Sequence, residues 1–307
     1  MRVSFLLLGL IAAVTAGRGF GEVLEVPSAA DTTLLSLNPD HSLGSEPDLI
    51  VGGLARGGHR GRMLVRFPGV TNLPAGAVVT SVSVAFSVTR ENTAGPAATV
   101  GLHRVLRDWG EGTGTGQTGA AAGTGAATWV NRAHPATAWA APGGLADTDF
   151  AGAASAQSTW DAPARYTVAS TPALLADVEA WRADPGANQG WILIASNEAT
   201  ARSARRVSGR EAAAAAQRPV LRVEYQIPSP VPPEIASVAR VPSGIELRLR
   251  GEAGWMYELQ SQGALGASGW TGLTNFVAKL QPLDVTVVEP VDADSRLYRL
   301  VAVSQVD

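Results

Sequence analysis

Residues 62–88 read RMLVRFPGVTNLPAGAVVTSVSVAFSV, and the fold turns on this stretch. A strand carrying Arg62 and Arg66 runs into a Pro68-Gly69 turn. A second strand then alternates Val82, Val84, Phe86 and Val88 with Ser81, Ser83, Ala85 and Ser87. Successive side chains of a strand point to opposite faces, so strict alternation buries the apolar set and leaves the small polar set outside. This is the pattern of a half-buried antiparallel sheet.

The same reading extends outward. Strand-like runs fall at residues 23–26, 33–37, 63–67, 78–89, 98–106, 166–169, 191–196 and 219–225, with Pro39-Asp40, Gly52-Gly53 and Pro74-Ala75-Gly76 among the turns between them. Many short strands punctuated by Gly and Pro predict an all-β fold, a jelly-roll-like β-sandwich. One short helix interrupts it: Thr171 as N-cap, Pro172 in the first turn, Leu174, Leu175, Val178 and Trp181 at helical spacing, and Asp184-Pro185-Gly186 as the stop. The Arg-rich run from Arg202 to Arg210 reads as a solvated loop between strands.

Four segments follow from composition. Arg2, the apolar run Val3–Val14 and the small residues at Val14-Thr15-Ala16 predict a secretory signal peptide over residues 1–16, too short for a comfortable membrane span. The mature chain is then expected to be secreted, extracellular or at the cell surface, and not membrane-spanning. The β-sandwich occupies residues 23–226, a Pro-rich linker residues 227–233, and a small fibronectin-III-like β domain residues 234–307. In the last, Ile245, Leu247 and Leu249 alternate with charged residues, and residues 296–303 resemble a closing strand.

The chain has no cysteine, so disulfides and thiolate chemistry are excluded. Its formal charge of -3 becomes -4 once Arg2 is removed, which gives no support for nucleic acid as a partner. Lys279 is the only lysine. His41, His59, His103 and His134 lie apart, and none sits beside a Gly-x-Ser-x-Gly turn or at the spacing of a helical zinc pair.

Residues 109–160 break the strand pattern. Gly112, Gly114, Gly116, Gly119, Gly123 and Gly125 interrupt it, and Trp109, Trp129, Trp139 and Trp160 stand among them. The Gly run lacks the Gly-Lys-Ser/Thr ending of a phosphate loop. Loop tryptophans can serve as flat platforms for sugar rings, or they can pin a long loop to a sandwich. Asp108, Glu111, Asp147, Asp149 and Asp161 could act as paired acid and base in glycoside cleavage, with no diagnostic spacing. Asp147-x-Asp149 offers two oxygen ligands to a structural calcium ion.

The first domain resembles the DNRLRE-type domain, grouped with family 96 carbohydrate-binding modules and akin to repeats of archaeal disaggregatase. The matching segments are Asp31-Thr32-Thr33-Leu34, Leu49-Ile50-Val51-Gly52, Arg62-x-Leu64-Val65-Arg66-Phe67 and residues 73–81. Asp108-Trp109-Gly110-Glu111-Gly112, Ala127-Thr128-Trp129, Asn131-Arg132, Gly190-Trp191-Ile192 and Arg218-Pro219-Val220-Leu221 follow in the family's order. Pro68 stands where the family often has Asp, and Gly209-Arg210-Glu211 where it has Ser-Arg-Glu. The resemblance implies a secreted sandwich module with a carbohydrate-binding role.

The leading expectation is a non-catalytic secreted protein that binds polysaccharide or cell-surface glycan by stacking on Trp129 and Trp139, with hydrogen bonds from Asn131 and Arg132. The alternatives are a structural matrix or surface-layer protein and, third, a polysaccharide lyase or glycoside hydrolase. Arg66 is expected to pair with a carboxylate inside the sandwich.

Overall fold

A computed structural model describes residues 21–74, 76–92, 95–227, 233–263, 269–278, 283–290 and 297–305. Residues 1–16, read as a signal peptide, and most of residues 227–233, read as a linker, lie outside the described residues. The described chain forms two compact units that divide between Gln226 and Ile227, and both are all-β sandwiches.

The first unit contains β1 (Glu22–Pro27), β2 (Ala30–Leu35), β3 (His41–Ser42), β4 (Asp48–Gly53), β5 (Arg60–Arg66), β6 (Val78–Glu91), β7 (Ala98–Arg104), β8 (Ala120–Ala121), β9 (Asn131–Ala133), β10 (Thr137–Ala138), β11 (Ala156–Trp160) and β12 (Ala164–Val168). Helix α1 (Pro172–Ala183) precedes β13 (Trp191–Ala195), β14 (Arg205–Ser208) and β15 (Val220–Gln226). One antiparallel layer runs β1-β15-β6-β14-β4, with β12 also on β6; the other holds β5-β13-β7-β11, with β2 on β5. They join at a corner where Gly52 faces Gly61 and Gly53 faces Arg60. Glycine is required there: Gly52 has φ +109°, and a Cβ on Gly53 would lie 2.1 Å from the Thr200 carbonyl oxygen.

The alternation in β6 is realised as read except at Ser87, which is buried and accepts from Arg165 Nη1 at 3.1 Å. Val82, Val84 and Phe86 are fully buried, Val88 nearly so, while Ser81, Ser83 and Ala85 are half-buried. They face Met63, Val65, Trp191 and Leu193 of the opposite layer in one core. The second layer has another buried side. Leu34, Leu64 and Ile192 point outward and are covered by Val105, Trp109, Ala127, Trp139 and Phe150. The segment that lacks strand pattern is therefore a packed third layer over the sheet.

Helix α1 forms as its sequence dictates. The Thr171 hydroxyl accepts from Leu174 N at 3.0 Å and caps the first turn. Leu174, Val178 and Trp181 are buried on its inner face. The Arg202–Arg210 reading is corrected. Residues 205–208 are β14, paired with β4 and β6 inside the first layer. Arg205 is 1% exposed, and its guanidinium donates to the carbonyls of Ser203, Pro96 and Asp161. Carbonyl acceptors let a buried cation keep its hydrogen bonds, which a charge count cannot reveal.

The second unit contains β16 (Glu234–Val241), β17 (Gly244–Gly251), β18 (Trp255–Gln262), β19 (Thr271–Ala278), β20 (Leu283–Glu289) and β21 (Leu297–Gln305). The sheets β16-β17-β20 and β19-β18-β21 enclose Leu247, Leu249, Tyr257, Leu259 and Leu300. Strands one, two and five oppose strands three, four and six, the division of a fibronectin-III-like sandwich. Among the described residues no helix is long and apolar enough to cross a membrane.

Candidate functional site

The C-terminal end of β7 meets the last turn of α1 at an open groove of ≈ 470 Å³. Residues 104–108 form one wall, Ala180, Trp181, Gly186, Ala187 and Gln189 the other, and Arg132 closes it. Three guanidinium groups, of Arg104, Arg107 and Arg132, share this lining with one carboxylate, that of Asp108.

Each arginine is held at one edge and left free at another. Arg104 Nε lies 3.5 Å from Asp177 Oδ1. Asp177 is itself fixed, because its Oδ2 accepts from Trp191 Nε1 at 2.8 Å and Ser155 Oγ at 2.5 Å. Arg107 Nε donates to Thr148 O at 3.2 Å. Arg132 pairs with the Asp108 carboxylate and donates to the Asp108 carbonyl at 3.2 Å. A guanidinium carries five N–H donors, so donors remain for a ligand. An arginine-rich groove suits carboxylate, sulfate and hydroxyl oxygens.

The sequence-predicted quartet separates. Arg132 lines the groove, whereas Trp129, Trp139 and Asn131 do not. Trp139 is corrected from platform to anchor: it is 6% exposed, and its Nε1 donates to Thr128 O at 2.9 Å. A stacking platform needs a free ring face, and this ring is inside the outer core. Trp109 is equally covered, with Nε1 donating to Gln189 O at 2.9 Å. Trp129 is half-buried. The Arg62 and Arg60 guanidinium carbons lie 5.6 Å and 6.0 Å from its ring centroid. Asn131 Oδ1 sits 3.3 Å from His134 Nδ1. Among the described residues Arg66 meets no carboxylate partner; it stacks 5.1 Å over Trp109 and donates to Gln189 Oε1.

The two acids expected to offer calcium ligands make hydrogen bonds within their own loop. Asp149 is buried, and its Oδ2 accepts from the amides of Ala140 and Leu145 at 2.9 and 2.8 Å. Asp147 sits at φ +59° and accepts from Gly152 N at 2.8 Å. The two carboxylates clamp their own loop. Three other acids, Asp31, Glu111 and Glu211, do converge, with a carboxylate oxygen of each within 4.8 Å of the others.

His41 and His103 direct Nδ1 to the carbonyls of Gly119 and Ala151. Arg104, Arg107 and Gln189 were not singled out in the sequence. Their one signal was the pair of arginines leaving a strand just before Asp108-Trp109. Asp31 carried no such signal: the strand read from the sequence began at Thr33, whereas β2 (Ala30–Leu35) takes in Asp31 and is buried at every residue.

Among known proteins, the chain matches no family model and no curated entry. The DNRLRE-like resemblance stands on its ordered sequence segments alone.

Proposed function

We propose that this chain is a secreted, non-catalytic module protein that binds polysaccharide or cell-surface glycan. The groove beside Arg132 is its contact surface, and sugars bearing carboxylate or sulfate groups are its ligands. One observation carries this reading: three arginines and a single acid line the described groove. The ordered DNRLRE-like segments and the signal-like residues 1–16 support it. Trp139 has no part in the contact, because its ring is inside the outer core.

The test is affinity electrophoresis of the full chain in gels containing a polyuronate, a sulfated polysaccharide or a neutral glucan. Acidic polymers should retard the protein, and added salt should weaken the retardation. Arg107→Ala combined with Arg132→Ala should weaken binding by roughly tenfold or more, as expected on losing charge-assisted hydrogen bonds. Equal retardation by neutral and acidic polymers, or full retention by the double variant, would overturn the site.

A structural matrix or surface-layer role is the second reading. Its support is the burial of Trp109 and Trp139, which withdraws two of the loop tryptophans from ligand contact. Self-association of the chain with no retardation by any polysaccharide would favour it.

A further inference from the structure

We propose that Asp31, Glu111 and Glu211 form a divalent-cation site, suited to calcium, that ties three remote segments of the first sandwich together. Asp31 lies on β2, Glu111 in the Gly-rich segment after Trp109, and Glu211 in the connection from β14 to β15. Nothing in the sequence spacing joins them; the fold does.

The hydrogen bonds leave two carboxylate oxygens over. Glu111 Oε1 accepts from Asp31 N at 2.7 Å and from Arg210 Nε at 2.5 Å, and its Oε2 accepts from Arg210 Nη2 at 2.8 Å. Asp31 Oδ2 accepts from Arg210 N at 2.8 Å and faces Ser28 Oγ at 3.5 Å. Glu211 Oε1 pairs with Arg210 Nη2 at 2.8 Å. Asp31 Oδ1 and Glu211 Oε2 are buried and have no hydrogen-bond partner among the described residues. Asp31 is 0% exposed, so its vacant oxygen does not touch bulk water. A buried carboxylate without a compensating partner is costly, and its presence calls for a positive group.

Charge points the same way. Three carboxylates converge on one another, and one guanidinium, that of Arg210, pairs with two of them, Glu111 and Glu211, while Arg218 adds a weaker attraction for Glu211. The cluster is short of two positive charges, which one divalent ion supplies. The donors are all oxygen, the ligand set of a hard cation. The Glu46 carbonyl borders the same space: a Cβ on Gly209 would lie 2.9 Å from Asp31 Oδ1 and 3.3 Å from Glu46 O. An irregular set of carboxylates and a carbonyl fits calcium's flexible coordination better than the strict octahedron of magnesium. Glu211 keeps 20% of its side chain exposed, which gives an ion a way in.

The rival occupant is a proton shared between Asp31 and Glu211. It neutralises one charge and leaves the other. Calcium titration of the chelator-treated full chain separates the two, by calorimetry and by melting temperature. Calcium should bind with a Kd on the order of 10⁻⁴ M, as in extracellular modules, and raise Tm by about 5 °C at roughly 10 mM. Asp31→Asn and Glu211→Gln should each raise the Kd by about tenfold or more, while Asp147→Asn leaves it unchanged. Glu211→Gln keeps the test sound if Asp31→Asn does not fold. Absence of calcium heat and Tm shift in the unaltered chain would overturn the proposal. So would a calcium response that persists in Glu211→Gln. No glycan enters the assay, so failure here would leave the groove reading untouched.

Discussion

Asp31 concentrates the electrostatics of the first sandwich. Burial pushes its carboxyl up to about 8, against 3.8 for a free side chain. The Arg210 amide pulls the other way, and Glu211 and Glu111 add to the rise. The sign follows directly. The folded state holds this proton more tightly than the unfolded chain does. The stabilisation is complete below about pH 4 and is lost as pH rises through about 8. In chelator, denaturant midpoints of the unaltered protein should therefore fall across this window relative to Asp31→Asn, by an amount worth up to about 6 kcal/mol. Parallel pH profiles of the two proteins would refute a buried, proton-holding Asp31. Trp139 shows the same dependence on surroundings: its position among Gly and Ala leaves both platform and anchor open, and only the packed neighbours decide.

At the scale of elements, α1 is the clearest case of local sequence setting local structure. Thr171→Ala removes the acceptor for Leu174 N and also the hydroxyl that donates to Ser155 O. It should cost about 1 kcal/mol, measured by equilibrium unfolding; no loss would mean the cap is not formed. This helix, β6 and β15 were legible because period and punctuation are local properties. β14 was not, because Arg205 and Arg206 break the apolar pattern and donate to carbonyls from distant segments. β11 escaped for a related reason: of its inward-facing residues only Ala156 and Trp160 are apolar, with polar Ser158 between them and Gln157 and Thr159 exposed. The groove and the acidic cluster were illegible for a third reason. Their residues meet across separations of up to 180 positions, and no window of sequence holds both Asp31 and Glu211. Arg132 was found through its family-like segment, Asn131-Arg132.

At the scale of the whole molecule, the two units have separate cores and differ in size. Independent cores unfold as independent cooperative units unless a large interface couples them. Differential scanning calorimetry of the full chain should show two transitions. Calcium should move only the one that belongs to residues 21–226. A single transition that shifts as a whole would show that the units are coupled.

The pairing of β1 with β15 has a mechanical consequence. Glu22 stands opposite Tyr225, and Pro27 opposite Val220, so the chain enters and leaves the first sandwich at the same end of one antiparallel ladder. Tension applied through the flanking segments would load that ladder at a single rung. The rungs would open one after another, as a zip does, instead of sharing the force in shear. The first sandwich would thus yield at its edge strand under weak pulling. Its core, and the cluster that includes Asp31, would be reached only after β1 had peeled away.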